Sequence, residues 1–192
     1  MSEGNRIAPA QCNLEKQVVA MIIDHQERLL SHINGKDEML RRACKLVGFC
    51  RLLSIPTIIT EQYPAGLGPT SSRILQMVNP DVPILEKTTF SCMRDSGISA
   101  ALGSLDRECV VVSGIETHIC VSQTVFGLLE RSHIVYVLAD CVGSRNERDH
   151  LAALERMRDS GAVITTLEAF MYEVLVSSGH PKFKEFHREI MS

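Results

Sequence analysis

Short unbroken apolar runs alternate along this chain with stretches of helical period. "VVAMIID" (18–24), "IPTIIT" (55–60), "VPILEK" (82–87), "CVVVSG" (109–114), "HIVYVLAD" (133–140) and "AVITT" (162–166) read as strands, rich in Val and Ile and apolar on both faces. Between them, "MLRRACKLVGFCRLL" (39–53) sets Leu40, Ala43, Val47 and Cys50 at three- and four-residue spacing. "THICVSQTVFGLLER" (117–131) does the same with Val121, Val125 and Leu128, and "RNERDHLAALERMRDSG" (145–161) stops at Gly161, a helix-ending residue. A further helix is predicted to about residue 177, with a break at "GHP" and one more helix beyond it. Strands apolar on both faces and separated by helices predict a parallel sheet covered on both sides, a three-layer α/β/α domain with about six strands. The segment 61–82 shows no clear period and carries Pro64, Gly66, Gly68, Pro69 and Pro80, which predicts a long loop of the kind that carries function.

Composition narrows the picture. The 192 residues are 45% hydrophobic and 22% charged, with a formal net charge of -3, as expected of one soluble globular domain. Neither a nucleic-acid nor an anionic-membrane partner is indicated, and basic pairs such as Arg41-Arg42 read as a solvated helix face. No apolar run reaches ~18–20 residues, so no transmembrane helix is expected. The first residues, "MSEGNRIAPAQCNLEKQ", are polar without a signal-peptide core. They predict a polar tail over 1–16, a single domain over 17–192 and a cytoplasmic setting. The seven cysteines form no C-x-x-C pair, which argues against a disulfide framework and a zinc ribbon.

Ligands of open parallel sheets gather beyond the carboxyl ends of the strands. The polar residues expected there are Asp24, Thr60, Glu61, Lys87, the segment from Glu116 to Cys120, and Asp140. Cys120 falls in the first turn of a predicted helix, where free N–H groups favour an anion and predict a depressed thiol pKa. The same groups suit an oxyanion. Asp24 can take the thiol proton and Lys87 can favour the ionised groups, giving a nucleophile, a base and an electrostatic partner. Each residue alone has an ordinary structural reading, as core cysteine, helix cap and surface lysine. A Cys–His pair through His25 or His118 is also conceivable, although adjacent strand residues point to opposite faces, so Asp24 and His25 cannot share one site. "GLGPTSS" (66–72) lacks the third glycine of a dinucleotide loop, and no histidine pair has metal-ligand spacing.

"VVVSGIETHICVSQT" (110–124), "MIIDHQERLL" (21–30) and "LEKTTFSC" (85–92) together resemble the isochorismatase-like cysteine hydrolase superfamily. With "TEQYPAGLGPT" they are most like its isochorismatase domain-containing subgroup. The resemblance runs from about Val18 to Phe186. It implies a Rossmann-like six-stranded parallel sheet of order 3-2-1-4-5-6, with Cys120 as nucleophile, Asp24 as base and Lys87 as their electrostatic partner. It implies a cis peptide at Ile115–Glu116, an oxyanion hole from the backbone N–H groups of Glu116 and Cys120, and a homo-oligomer, dimer or tetramer. Tyr63, Phe90 and Ile119 would wall the substrate pocket, with Gln26 at its rim. The Asp-x-His metal motif of nicotinamidase-type relatives is missing from "TEQYPAG", so neither a metal nor another cofactor is expected. Glu116 stands where many relatives have a small residue. In the pocket it would favour a cationic or hydrogen-bond-donating substrate; otherwise it would simply be exposed. The expected activity is cysteine-dependent hydrolysis of a small-molecule C–N bond through a thioester. The alternatives are vinyl-ether hydrolysis, thiol redox chemistry, and a non-catalytic binding protein on the same fold.

Overall fold

The computed structural model describes residues 13–191. In chain order its elements are α1 (Leu14–Gln17), β1 (Val18–Ile23), α2 (Glu27–Leu30), α3 (Lys36–Leu53), β2 (Thr57–Gln62), α4 (Pro64–Leu67), α5 (Ser72–Leu75), β3 (Ile84–Lys87), α6 (Ser96–Ser104), β4 (Cys109–Ile115), α7 (Ser122–Glu130), β5 (Ile134–Gly143), α8 (Glu147–Asp159), β6 (Val163–Thr165), α9 (Leu167–Leu175) and α10 (Phe183–Phe186). Short 3-10 or π turns cover Cys92–Arg94, Thr117–Val121 and His187–Met191. The six strands form one parallel sheet of order β3-β2-β1-β4-β5-β6.

The period of two along the strands splits the core into two layers. Val18, Ala20, Ile22, Val111 and Tyr136 face Ala43, Leu46 and Phe49 of α3 and Phe170 and Val174 of α9. Val19, Met21, Ile23, Val110 and Val112 face Ile98 and Leu102 of α6, Val125 and Leu128 of α7 and Met157 of α8. Every residue of β1 and β4 is buried, which is why their sequences show no polar alternation.

Three expectations change. Of the tail expected over 1–16, residues 14–16 belong to α1, with Leu14 buried, and residues 1–12 lie outside the described residues. Helix α6 was not foreseen, since "SGISAALGS" is small and only weakly amphipathic. Its one local signal is Asp95, whose carboxylate accepts from the Ile98 N–H as an N-cap. Asp140 does not end its strand. β5 runs on to Gly143, and its register against β4 slips by three residues between the pairs Val112↔Val137 and Gly114↔Val142. Within the slip Asp140 pairs with Arg42 at 2.6 Å and accepts from the Leu167 N–H, capping α9. The Ser113 hydroxyl donates to the displaced Cys141 carbonyl at 2.8 Å.

Gly114 sets the approach of the two central strand ends. Its φ is +156°, and a Cβ there would lie 2.5 Å from the Ile23 carbonyl oxygen. Gly114→Ala is therefore expected to lower stability by about 2–3 kcal/mol through overpacking against backbone. Urea denaturation would measure it, and an unchanged midpoint would show that β1 and β4 can separate there without cost.

Candidate active site

Asp24, Gln62 and Lys87 stand at or just beyond the carboxyl ends of β1, β2 and β3, and Cys120 follows β4. The strand order brings all four together, with β1 beside β4 where the connectivity reverses direction. The backbone turns sharply at Asp24, where φ is +54°, a conformation Asp tolerates better than most residues. Its N–H donates to the Thr60 carbonyl and its own carbonyl accepts from Gln26, so the carboxylate is aimed by backbone on both sides.

That carboxylate is fully buried and hydrogen-bonded at both oxygens. Lys87 Nζ lies 2.6 Å from Asp24 Oδ2, and the Thr60 hydroxyl donates to Oδ1 at 2.7 Å. Lys87 Nζ also donates to Gln62 Oε1 at 2.6 Å, and the same amide oxygen lies 3.9 Å from Cys120 Sγ. Burial pulls the Lys87 pKa down, but its acidic neighbours, the Asp24 carboxylate first, outweigh it, and the net shift is upward. Lys87 is thus held as an ammonium inside the protein, the arrangement in which a buried cation is tolerated.

The thiol of Cys120 departs from the sequence reading. It sits in the π turn Thr117–Val121 ahead of α7, with 5% exposure. Burial, followed by the facing Asp24 carboxylate, raises its pKa, against a downward pull from Lys87. The expected depression at a helix N-terminus is overridden by desolvation and by the carboxylate. The resting group is a neutral thiol facing a buried carboxylate.

The peptide bond Ile115–Glu116 is cis. The Glu116 carbonyl accepts from the N–H groups of Ile119 and Val121 and so closes the turn that carries Cys120. Glu116 does not enter the pocket as a free carboxylate, nor is it exposed. Its Oε2 accepts from the Arg145 backbone N–H at 2.9 Å and from Arg145 Nε at 3.1 Å.

Gln26 is fully buried, away from any rim. Its amide accepts from the Gln62 N–H and donates to the carbonyls of Gln62 and Gly68, tying β2 to the following loop. Arg28 donates to the Gly66 carbonyl, and Glu61 accepts from the Thr70 N–H and hydroxyl, so 61–70 is held by hydrogen bonds at several points. Tyr63 and Phe90 are exposed, at 56% and 54%, and Ile119 is half-buried. His25 points to the other side of the sheet, where Nε2 meets the Ser113 hydroxyl at 3.0 Å and burial lowers its pKa to about 4. His118 meets Ser144. Neither histidine is hydrogen-bonded to Cys120.

Gln62 and Thr60 complete the site, and sequence reasoning missed Gln62. Its signal was available: a polar residue closing an apolar strand next to Glu61, one strand away from Asp24. A cavity of about 790 Å3 lies elsewhere, on the outer side of α7 among Ser91, Phe126, Arg131 and Arg156. Among the described residues no group of three or more His, Cys, Asp or Glu is placed to hold a metal, and no helix is long and apolar enough to cross a membrane.

Residues 18–169 match the family model described as the isochorismatase domain. The chain belongs to the isochorismatase family. It is 37% identical to isochorismatase domain-containing protein 2 of Danio rerio, over 90% of this chain and 86% of the relative. It is 37% identical to isochorismatase family protein 1A of Dictyostelium discoideum, over 85% and 81%. Among solved structures, the MAR1 ribonuclease of Caenorhabditis elegans superposes with a TM-score of 0.88 at 38% identity, covering 93% of this chain and 91% of that one. An Escherichia coli protein described as an octameric hydrolase of unknown specificity, the YcaC gene product, superposes with a TM-score of 0.82 at 22% identity, over 85% and 82%, a likeness of fold alone. The fold is thus that of isochorismatase-family hydrolases.

Proposed function

We propose that this protein is a cysteine-dependent hydrolase of a small-molecule amide-type C–N bond. The observation that carries the reading is the buried chain Cys120 Sγ–Gln62 Oε1–Lys87 Nζ–Asp24 Oδ2, with links of 3.9, 2.6 and 2.6 Å. It sets a thiol, a carboxylate and an ammonium at one strand edge.

Asp24 takes the Cys120 proton as the sulfur attacks the substrate carbonyl carbon. The C=O electron pair moves to oxygen, and the N–H groups of Glu116 and Cys120 receive the oxyanion. As the pair returns, the C–N bond breaks and Asp24 gives its proton to the departing nitrogen. Water, deprotonated by Asp24, then attacks the thioester, releasing the acid and restoring the thiol. Lys87 balances charge throughout, since it faces both the carboxylate and the sulfur as each becomes anionic. Tyr63, Phe90 and Ile119 line the approach. The setting we propose is the cytoplasm, as a homo-oligomer.

In the resting protein the thiol should be slow to alkylate. At pH 7 iodoacetamide is expected to modify Cys120 more slowly than free cysteine. Because the folded pKa is raised, the rate should keep climbing above pH ~9, where a thiol of ordinary pKa ~8.5 levels off. Mass analysis of the Cys120 peptide reads this, and fast labelling at pH 6–7 would mean a standing thiolate in place of proton transfer to Asp24. The activity is tested with small amides, ureas and vinyl ethers, together with an RNA arm prompted by the ribonuclease name of the C. elegans neighbour. Turnover of an amide with an acyl mass on Cys120 supports the reading. Turnover confined to vinyl ethers or to RNA, with Cys120 unmodified, rejects it.

A further inference from the structure

The proposed reaction leaves open which carbonyl compounds enter, and the residue after β5 speaks to that. β5 lies beside β4, and Ile115↔Gly143 is the last pair of their ladder. Glu116 and Arg145 therefore leave the sheet side by side, at the edge where the turn carrying Cys120 begins. Arg145 is fixed at its base. Its N–H and Nε both bind Glu116 Oε2, and its carbonyl accepts from Asn34 Nδ2 at 2.9 Å. The preceding Ser144 hydroxyl meets His118 Nδ1 at 3.0 Å, tying this loop to the turn that carries Cys120.

The two partners are buried very unequally. The Glu116 side chain is 10% exposed and the Arg145 side chain 61%. The carboxylate is consumed inside the protein, whereas the terminal –NH2 groups of the guanidinium have no protein partner among the described residues. Arg28 and Arg42 are committed, Arg28 to the Gly66 carbonyl and Arg42 to Glu38 and Asp140. What the chain presents at position 116 is thus a carboxylate turned into a bracket, and what faces outward beside it is a positive planar fork. That fork matches a carboxylate in two-point geometry.

We infer that Arg145 is a specificity-determining residue that selects substrates bearing an anionic group, a carboxylate above all, beside the carbonyl attacked by Cys120. This reverses the preference for a cationic substrate that Glu116 alone suggests. The inference rests on Cys120 being the reacting group.

Two alkylating probes of nearly equal size, iodoacetate and iodoacetamide, test it without a known substrate. The readout is the ratio of their rates at the Cys120 peptide, at pH ~9.5, where the raised-pKa thiol reacts. Arg145→Gln is expected to lower the iodoacetate-to-iodoacetamide ratio about 5-fold, the scale of one exposed charge contact. Arg145→Lys should retain part of the preference. Glu116→Gln frees the bracket but keeps the guanidinium, and should hold the ratio near that of the parent protein. A ratio unchanged by Arg145→Gln overturns the inference. So does an equal fall in Glu116→Gln, which would reduce Arg145 to a brace for the turn. If neither probe modifies Cys120 in the parent protein even above pH ~9, where its raised pKa leaves the rate still climbing, the nucleophile assignment itself fails, and the selection argued from it falls too.

Discussion

Cys120→Ala is expected to abolish turnover of any amide that the parent protein hydrolyses, by about 10^4-fold or more, with the fold intact. The size follows from what is lost. Asp24 would remain paired to Lys87, and the turn closed on the Glu116 carbonyl would be unchanged, because its hydrogen bonds are backbone to backbone. The missing sulfur removes the covalent step itself, so no rearrangement of the neighbours can restore it. Stability should barely move. The thiol's contact to Gln62 is long, at 3.9 Å, and deleting a single sulfur removes little packed volume. A melting temperature close to that of the parent protein, with activity gone, is the expected pair of results. Cys120→Ala that still turns over the amide at a tenth of the parental rate would exclude a thioester and leave Asp24 activating water directly.

The strand frame was legible because its strongest signals are local. Runs such as "VVAMII" and "CVVVSGI" are buried on both faces, and such runs belong to the centre of a parallel sheet. Asp24, Lys87 and Cys120 were legible as candidates because each is a chemically active residue beyond an apolar run. Bringing them together took the strand order, which the pattern of runs does not encode and the family resemblance supplied. The misreadings share a physical cause. Whether Glu116 is a pocket carboxylate depends on Arg145, 29 positions away, and whether Gln26 lines a rim depends on Gln62 and Gly68. The Cys120 pKa is likewise set by burial and by Asp24 across the sheet, not by its place in a helix. Local sequence reports which groups are available. Their partners, and so their charge states and directions, are tertiary facts.

Lys87→Met is expected to be the most damaging single change to stability, costing about 3–5 kcal/mol. Both charged groups are fully buried, so solvent does not screen the loss. With the ammonium gone, Asp24 would keep only neutral partners, the Thr60 hydroxyl at 2.7 Å and the Cys120 thiol, and Gln62 Oε1 would lose its 2.6 Å donor. A buried carboxylate with neutral donors alone is far worse than the pair it came from. Against a total stability of about 5–15 kcal/mol, this would leave a marginal protein, so urea curves at low temperature are the suitable measurement. Asp24→Asn should also destabilise, since it leaves the ammonium with amide oxygens alone. The double variant, Asp24→Asn with Lys87→Met, separates structure from chemistry. Removing both charges together removes the unpaired-ion penalty, so it should be less destabilised than the sum of the two single changes by at least about 1–3 kcal/mol. It should nevertheless be inactive, because no base remains to take the Cys120 proton. Recovered stability with no recovered turnover would assign Asp24 and Lys87 a chemical role beyond holding the strand ends together. Additive stabilities would show that the two charges do not depend on each other, and would dissolve the ion pair as the organising feature of the site.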